Sequence, residues 1–160
     1  MRTIKRRRLE GKTDYKARLD LLKSGKPRLV VRKSNRYIIA QLVQSDIAQD
    51  KVVAGISSKA LLSKGWPNEL SGSLKNLSAA YLTGFMLGKL ALNAKIKDAI
   101  LDAGMYRNIK NSRIYSVLKG AVDAGMDIPH NDDVLPPMEM IKNEKMSKIF
   151  DKIIKEKQNG

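Results

Sequence analysis

The most apolar stretch of the chain, from Ala79 to Leu92, has to be buried wherever this chain folds. It runs for about 14 residues, which is short of the roughly 20 that a helix needs to cross a bilayer. Thr83 and Lys89 also interrupt it. The small residues Gly84 and Gly88 predict that this helix approaches a sheet closely. The remaining segments must therefore build a core around one apolar helix.

The strands for that core are expected before the helix. Three short segments rich in β-branched and apolar residues predict strands at 28–33, 36–44 and 52–56. Ser34 and Asn35 predict a tight turn between the first two. Both strands of this pair carry apolar residues on both faces, which favours a sheet that is covered on both sides.

Apolar spacing and terminating residues also predict the helices and the last strand. Apolar spacing predicts the core helix from Leu74 to Asn93, with Ser73 as its N-cap. The short run 98–102 predicts a strand that returns to the sheet through a crossover. A second helix is predicted from about Arg113, ending at Gly125. Pro137 can open a final helix, which would carry Met146, Ile149, Phe150 and Ile153 on one face and pack on the body or on a partner.

Positive charge is concentrated at the N-terminus. The first 36 residues hold 14 Lys or Arg against three acidic residues, so they carry +11 of the net charge of +15. The remaining residues are nearly balanced, with 17 basic and 13 acidic. Such a one-sided distribution is typical of an arm and platform for a polyanion. RNA or DNA is the leading partner on charge alone.

The basic segment divides into an arm, a helix and a hairpin. Residues 1–12 predict an extended basic arm that becomes ordered on binding. Thr13 is the expected N-cap of a helix over 14–23, with Gly25 just past its end. Arginine offers a planar fork to phosphate oxygens, and Tyr15 and Tyr37 offer faces for unstacked bases. The hairpin tip at 32–37 would present such groups from a rigid sheet.

Other chemistry is poorly supported. The chain has no cysteine, which excludes disulfides and cysteine metal sites. His130 is the single histidine, so no second imidazole completes a transition-metal site with Asp132 and Asp133. No cofactor, small-molecule substrate or membrane partner is expected. The N-terminus lacks an apolar signal segment, so we expect the chain to stay in the cytoplasm.

Four sequence blocks, in this order along the chain, are specific enough to indicate a family: RRRLEGKTDYKARLDLL (6–22), RLVVRKSNRYIIAQ (28–41), SAAYLTGFMLGKLAL (78–92) and KGAVDAGMDIPH (119–130). Together they resemble the large-subunit ribosomal protein family that binds 5S ribosomal RNA, number eighteen in the universal naming. The GKTDY and KGA-DAG-IPH blocks resemble the archaeal and eukaryotic branch more than the bacterial form, and the lack of the long eukaryotic C-terminal extension favours the archaeal type. The resemblance extends over about residues 5–131.

The resemblance implies an α/β fold with a mixed sheet of about four strands, three antiparallel and one parallel. Helices flank this sheet, a basic arm precedes it and a helical tail follows it. We divide the chain into an arm and short helix (1–27), an RNA-binding domain (28–131) and a loop with a C-terminal helix (132–160). The family is not enzymatic. Its members bind 5S ribosomal RNA and attach it to 23S ribosomal RNA and neighbouring proteins in the central protuberance of the large ribosomal subunit.

The expected RNA contacts come from both lines of reasoning. The resemblance carries over the GKTDY and VRKSNRY positions, and charge adds the arm and two neighbouring arginines. The full set is Arg6, Arg7, Arg8, Lys12, Thr13, Asp14, Tyr15, Arg18, Arg28, Arg32, Lys33, Ser34, Asn35, Arg36 and Tyr37. Two alternatives remain open: a small RNA-modifying enzyme with a site around His130, and a protein interaction module that uses the last helix.

Overall fold

A four-stranded mixed sheet organises the computed structural model, which describes residues 3–47, 49–142, 150 and 153. The strand order is β3-β2-β1-β4. The β1–β2 and β2–β3 pairs are antiparallel, whereas β4 is parallel to β1. The predicted α/β class and mixed sheet are therefore confirmed. The strands are β1 (Arg28–Lys33), β2 (Ile38–Asp46), β3 (Gln49–Ser57) and β4 (Ile100–Asp102).

Helices of very different length surround the sheet. They are α1 (Arg6–Leu9), α2 (Tyr15–Lys23), α3 (Ala60–Ser63), α4 (Leu77–Asn93), α5 (Arg113–Asp123) and α6 (Met138–Ile141), with 3-10 turns at Asn68–Ser73 and Asp132–Val134. Among the described residues, every helix falls short of the length and apolar character that a membrane crossing requires.

The N-terminal segment differs from its prediction in two ways. The arm is not wholly extended, because α1 forms one helical turn that the Arg6–Glu10 ion pair supports. Helix α2 begins one residue later than expected, and its N-cap is Asp14 instead of Thr13. The Asp14 Oδ1 atom accepts the backbone N–H groups of Lys16 at 3.0 Å and Ala17 at 3.2 Å.

The main core lies between the sheet and the helix pair α4 and α5. Helix α4 is capped by Asn76, whose Oδ1 accepts the Ala79 N–H at 2.7 Å. The predicted cap Ser73 instead donates to the carbonyl of Leu70. Alternate residues of β1 and β2 point into this core and are fully buried, as strand geometry requires. The core includes Leu29, Val31, Ile38, Ala40, Leu42, Ala80, Leu87, Val117, Leu118 and Ala121.

The glycines of α4 face α5, so the prediction that they approach a sheet was wrong. A Cβ atom on Gly84 would collide with the backbone carbonyl of Val117. Gly120 of α5 lies equally close to the backbone of Tyr81. Glycine inside a helix costs about 1 kcal/mol relative to alanine. The direct packing of the two helix backbones offsets this cost in free energy.

The opposite face of the sheet is only partly covered. Ile39 alternates with the buried residues of β2 and is 38% exposed. Val52 pairs with Val43 beyond a register shift in the β2–β3 ladder and is 50% exposed. The expectation that both faces are covered was therefore wrong at these positions. Helix α2 reaches this face at the corner where Arg18 contacts Asp50.

A second core includes residues from the C-terminal part of the chain. Phe150 and Ile153 are helical and buried, and they lie with Ile141, Trp66 and Tyr81. The predicted tail residues Phe150 and Ile153 thus pack on the body. Met146 and Ile149 lie outside the described residues. Burial and a hydrogen bond to Asp123 raise the pKa of the Tyr81 hydroxyl.

A buried arginine connects the elements on the partly covered face. Arg28 is 2% exposed. Its guanidinium donates to Asp102 Oδ2 of β4 at 2.9 Å, to Asp50 Oδ1 of β3 at 2.8 Å and to Ser45 Oγ of β2 at 3.0 Å. Arg32 adds a 2.9 Å bond to Asp102 Oδ1. These contacts tie all four strands together at the corner where α2 sits.

The charges of this cluster also fix the state of Asp50. Burial alone would raise the pKa of this carboxyl group, but hydrogen bonds from Ser45, Arg18 and Arg28 outweigh burial and lower the pKa to about 2. A carboxylate whose pKa is lower in the folded state stabilises the fold above its unfolded pKa. That stabilisation disappears as the pH falls towards the folded pKa.

Replacing Gly120 by alanine should test the contact between α4 and α5. We expect Gly120→Ala to lower the free energy of unfolding by about 1–3 kcal/mol, because the added methyl group forces the helix backbones apart. The matched control is Gly72→Ala, since nothing lies within 4 Å of a Cβ atom there. Urea denaturation of both variants should show a change within about 0.5 kcal/mol for the control. Equal stability of the two variants would contradict the close packing.

The Asp50 cluster gives a pH-dependent prediction. Asp50→Asn should be less stable than the wild type at pH 6, where the native carboxylate is ionised. This stability difference should narrow as the pH falls from about 4 towards 2, because the wild-type carboxyl group then takes up a proton. The measurement is the urea midpoint of both proteins across this pH range. Asp20→Asn, at an exposed carboxylate, is the control. A difference that does not vary with pH would rule out this role of Asp50.

Candidate nucleic-acid interface

The arm presents its arginines on the single turn of α1. Arg6 is 86% exposed and pairs with Glu10 at 2.8 Å, and Lys12 reaches the other oxygen of Glu10 at the same distance. Hydrogen bonds from Lys12 and Arg6 lower the pKa of Glu10. Arg7 and Arg8 are exposed and carry no carboxylate partner among the described residues. The turn therefore projects several cations into solvent around one shared anion.

The GKTDY positions mainly shape the junction between the arm and α2. Thr13 accepts a hydrogen bond from Arg7 Nε at 3.0 Å, which holds the arm against the start of the helix. Asp14 is occupied as the N-cap. Lys5 lies over the ring of Tyr15, with 4.4 Å between its Nζ atom and the ring centre. Tyr15 is half-buried, so one part of its ring remains open.

The hairpin tip divides into shaping and exposed residues. Ser34 closes the turn, since its Oγ atom accepts the N–H of Tyr37 at 2.9 Å and its N–H donates to the Tyr37 carbonyl at 2.8 Å. The Tyr37 side chain packs against the second core. Asn35 and Arg36 are exposed at the apex, and neither has an ion pair within the described part of the chain. They are the open groups of the tip.

The three inner arginines of the predicted set belong to the buried cluster. Arg28 is buried and forms ion pairs with Asp50 and Asp102, so its guanidinium is not accessible to a ligand. Arg18 and Arg32 form the outer members of the cluster, and each side chain is 41% exposed. They can therefore hold a carboxylate on one side and present the remaining donors to solvent.

A cleft of about 570 Å³ joins the arm to the sheet. Arg7, Lys12 and Arg18 line one wall, and Arg32 lies on the sheet side. The chain that leaves β4, through Met105, forms the remaining wall. The structure thus brings the arm, α2 and Arg32 together. The rest of the hairpin tip follows Arg32 in the chain and carries further basic residues beyond the cleft.

A basic segment that sequence reasoning did not single out lies beside the tip. Residues 104–111 form an exposed loop after β4, which we call the β4–α5 loop. The Tyr106 hydroxyl donates to the Lys33 carbonyl at 2.8 Å and accepts the Lys33 N–H at 3.3 Å. The available signal was charge, because no acidic residue occurs from 103 to 122 whereas four basic residues do.

The environment of His130 does not form a catalytic site. Its Nδ1 atom lies 2.6 Å from the Ile128 carbonyl, and its Nε2 atom lies 3.4 Å from Asp132. The Asp132 side chain is 96% exposed. Within the residues that the structure describes, no group of three potential ligands could hold a metal ion. These contacts are those of a loop histidine that stabilises its own turn.

Comparison with known proteins gives a consistent family assignment. The family model described as "Ribosomal large subunit proteins 60S L5, and 50S L18" matches residues 1–99 and 93–131. The chain is 48% identical over 151 residues to the large ribosomal subunit protein uL18 of Korarchaeum cryptofilum, covering 94% of this chain and 75% of that protein.

Two further relatives carry the same description. The uL18 protein of Aeropyrum pernix is 45% identical over 140 residues, with 87% of this chain and 64% of that protein covered. The uL18 protein of Methanococcus maripaludis is 49% identical over 136 residues, with 85% and 68% covered. The chain therefore spans about two thirds to three quarters of the length of these archaeal relatives.

This assignment bears on the enzyme alternative left open by the sequence, whereas the protein interaction module that uses the last helix stays a prediction. The predicted resemblance to the archaeal type is confirmed, and so is the prediction that the chain is not an enzyme. The alternative of a small RNA-modifying enzyme around His130 was wrong. With the family model matching most of its length, the chain belongs to the family of large ribosomal subunit proteins that includes uL18.

Proposed function

We propose that this protein binds 5S ribosomal RNA and attaches it to 23S ribosomal RNA in the central protuberance of the large ribosomal subunit, in the cytoplasm. Neighbouring ribosomal proteins of the protuberance are its other partners. The observation that carries the proposal is the series of basic residues from α1, across the cleft and Arg32, to the hairpin tip. Membership of a ribosomal protein family supports RNA as the partner of that surface.

The proposed contacts fall into groups with different tasks. Arg6, Arg7, Arg8 and Lys12 neutralise phosphates along the arm, and Arg18 and Arg32 do so in the cleft. Lys33, Asn35 and Arg36 contact RNA at the tip, with Tyr15 and Tyr37 offering their open ring edges. Thr13, Asp14, Ser34 and Arg28 act as positioning residues, because their polar groups are bonded within the protein.

Affinity and selectivity come from different parts of this surface. Each phosphate that a lysine or arginine neutralises releases counterions, so log K falls by about 0.7–0.9 per contact for each tenfold rise in salt. This contribution is the same for any RNA. Selectivity requires a rigid shape that fits unpaired or splayed nucleotides, and the closed hairpin turn supplies one. The tip should therefore discriminate, whereas the arm should not.

The direct test of the proposal compares 5S ribosomal RNA with a transfer RNA of similar charge. Fluorescence polarisation across a salt series gives both affinities and both salt slopes. A preference for 5S ribosomal RNA that persists at high salt is expected. Equal affinities that vanish together as salt rises would overturn the proposal, since they would show charge attraction without structural recognition.

Replacing Arg6, Arg7 and Arg8 together by alanine should weaken binding to both RNAs alike. The salt slope should flatten by about 2–3, because three phosphate contacts are lost. The matched control removes three exposed lysines around α4, with Lys75→Ala, Lys95→Asn and Lys97→Ala, where Asn suits the positive φ of Lys95. A slope that stays at the wild-type value in the arm variant would remove the arm from the interface.

Replacing Asn35 by alanine should reduce the preference for 5S ribosomal RNA without a change in salt slope. The substitution alters no charge but removes an exposed amide at the apex of the turn. A lost hydrogen bond of about 1 kcal/mol corresponds to a roughly fivefold loss of preference. Asn93→Ala, at the end of α4, is the neutral control. Equal losses on 5S and transfer RNA would show that the tip does not discriminate.

A further inference from the structure

The β4–α5 loop carries positive charge that the fold itself does not use. Arg107 and Lys110 are exposed, and Arg113 follows at the start of α5. None of the three has an ion pair or side-chain hydrogen bond within the described part of the chain. This separates them from Arg18, Arg28 and Arg32, which are bonded to Asp50 and Asp102. The loop charges are therefore open to an external anion.

The loop is held in place at both ends and in its middle. At the start, the Gly104 N–H donates to Asp102 Oδ1 at 2.9 Å. Next, the Tyr106 hydroxyl bridges the N–H and carbonyl of Lys33. At the end, the Asn111 N–H donates to the Val134 carbonyl at 3.0 Å. An anion that binds here meets a loop whose backbone is already positioned, so little backbone ordering entropy is lost.

The Tyr106 contact places the loop against the proposed RNA surface. Lys33 ends β1 beside the hairpin tip, and its Nζ atom lies 4.4 Å from the centre of the Tyr106 ring. Arg32, one residue earlier, packs its guanidinium on Gly104. The tip and the loop therefore lie on neighbouring strands at the same end of the sheet. Their cations lie side by side although Lys33 and Tyr106 are 73 residues apart in sequence.

The chemistry of the loop favours a nucleic-acid backbone. A stretch without any carboxylate would repel basic surfaces and attract a chain of phosphates. The α5 helix starts beside it without an acidic residue in its first turn, so the helix dipole adds to the positive potential. Met105 and Ile109 are 54% and 61% exposed between the cations. They offer apolar surface against which a ribose or an unstacked base can pack.

We infer that the β4–α5 loop and the start of α5 form a second RNA-binding element, in which Arg107, Lys110 and Arg113 bind the phosphate backbone next to the RNA segment held by the hairpin tip. This inference rests on the proposed binding of 5S ribosomal RNA. The loop and the tip contact neighbouring parts of the same RNA, and Tyr106 is the positioning residue that links them.

The test uses the full chain with Arg107→Ala and Lys110→Ala combined. We expect binding to 5S ribosomal RNA to weaken roughly tenfold at 0.1 M salt and the salt slope to flatten by about 1.4–1.8, because two phosphate contacts are lost. The control combines Lys95→Asn with Lys97→Ala, which removes the same charge before β4, at the opposite end of that strand. Thermal unfolding of both variants should match the wild type, since all four residues are exposed.

A second readout separates the loop from the arm. Hydroxyl-radical footprinting of 5S ribosomal RNA should show that the loop variant loses backbone protections different from those lost by the arm variant. If the loop variant binds and protects 5S ribosomal RNA like the control, while the wild type keeps its preference for 5S, the inference about the loop is overturned and the proposed function stands. The loop cations would then be assigned to contact with an acidic protein surface. A wild-type protein without preference for 5S over transfer RNA would overturn both proposals.

Discussion

Burial of Arg28 is the constraint on which this surface depends. A guanidinium removed from water is costly unless its donors are bonded to charged or polar partners. Arg28 meets that requirement with Asp102, Asp50 and Ser45, which come from three other strands. The arginine therefore fixes how the strands meet at one corner of the sheet. Arg18 and Arg32 attach to the outside of the same carboxylates, so α2 and the end of β1 take their positions from the cluster.

The two faces of the sheet have different tasks as a result. One face is sealed by α4 and α5, whose glycine contacts allow the helices to lie close together over the strands. The buried polar groups there, such as the hydroxyls of Thr83 and Ser116, donate to backbone carbonyls. The other face has the corner cluster and the α2 contact, with Ile39 and Val52 partly exposed. Cations can therefore gather along that side without disturbing the apolar core.

Local signals predicted the elements well, whereas long-range pairings decided the roles of charged residues. The bounds of β1 and the start of α5 agree with the sequence prediction, because Pro27 and the apolar spacing mark them. Arg28 and Arg36 look alike in sequence, yet one is buried and the other is exposed. Only the parallel register of Arg28 with Ile100 brings Asp102 within reach. No local pattern contains that information.

The lack of long-range information in local patterns also explains why the predicted N-cap of α4 and the predicted neighbour of its glycines were wrong. Ser73 and Asn76 are both good caps, and the fold selected the one whose oxygen meets a free N–H. Gly84 and Gly88 predicted close packing correctly, but the identity of the neighbour depends on the order of the layers. The charge of residues 37–160 as a whole is nearly balanced, because acidic residues elsewhere offset the basic residues of the β4–α5 loop.

Glu10 adds a final element to the electrostatics of the arm. Arg6 and Lys12 share this one carboxylate, so a phosphate that approaches either cation competes with an existing ion pair. Such pairs are exposed and individually weak. A single stray phosphate gains little by displacing one, whereas a phosphate chain of the right path replaces both at once and also reaches Arg7 and Arg8. The carboxylate thus favours an extended backbone over isolated anions, which suits the folded RNA proposed as the partner of the arm.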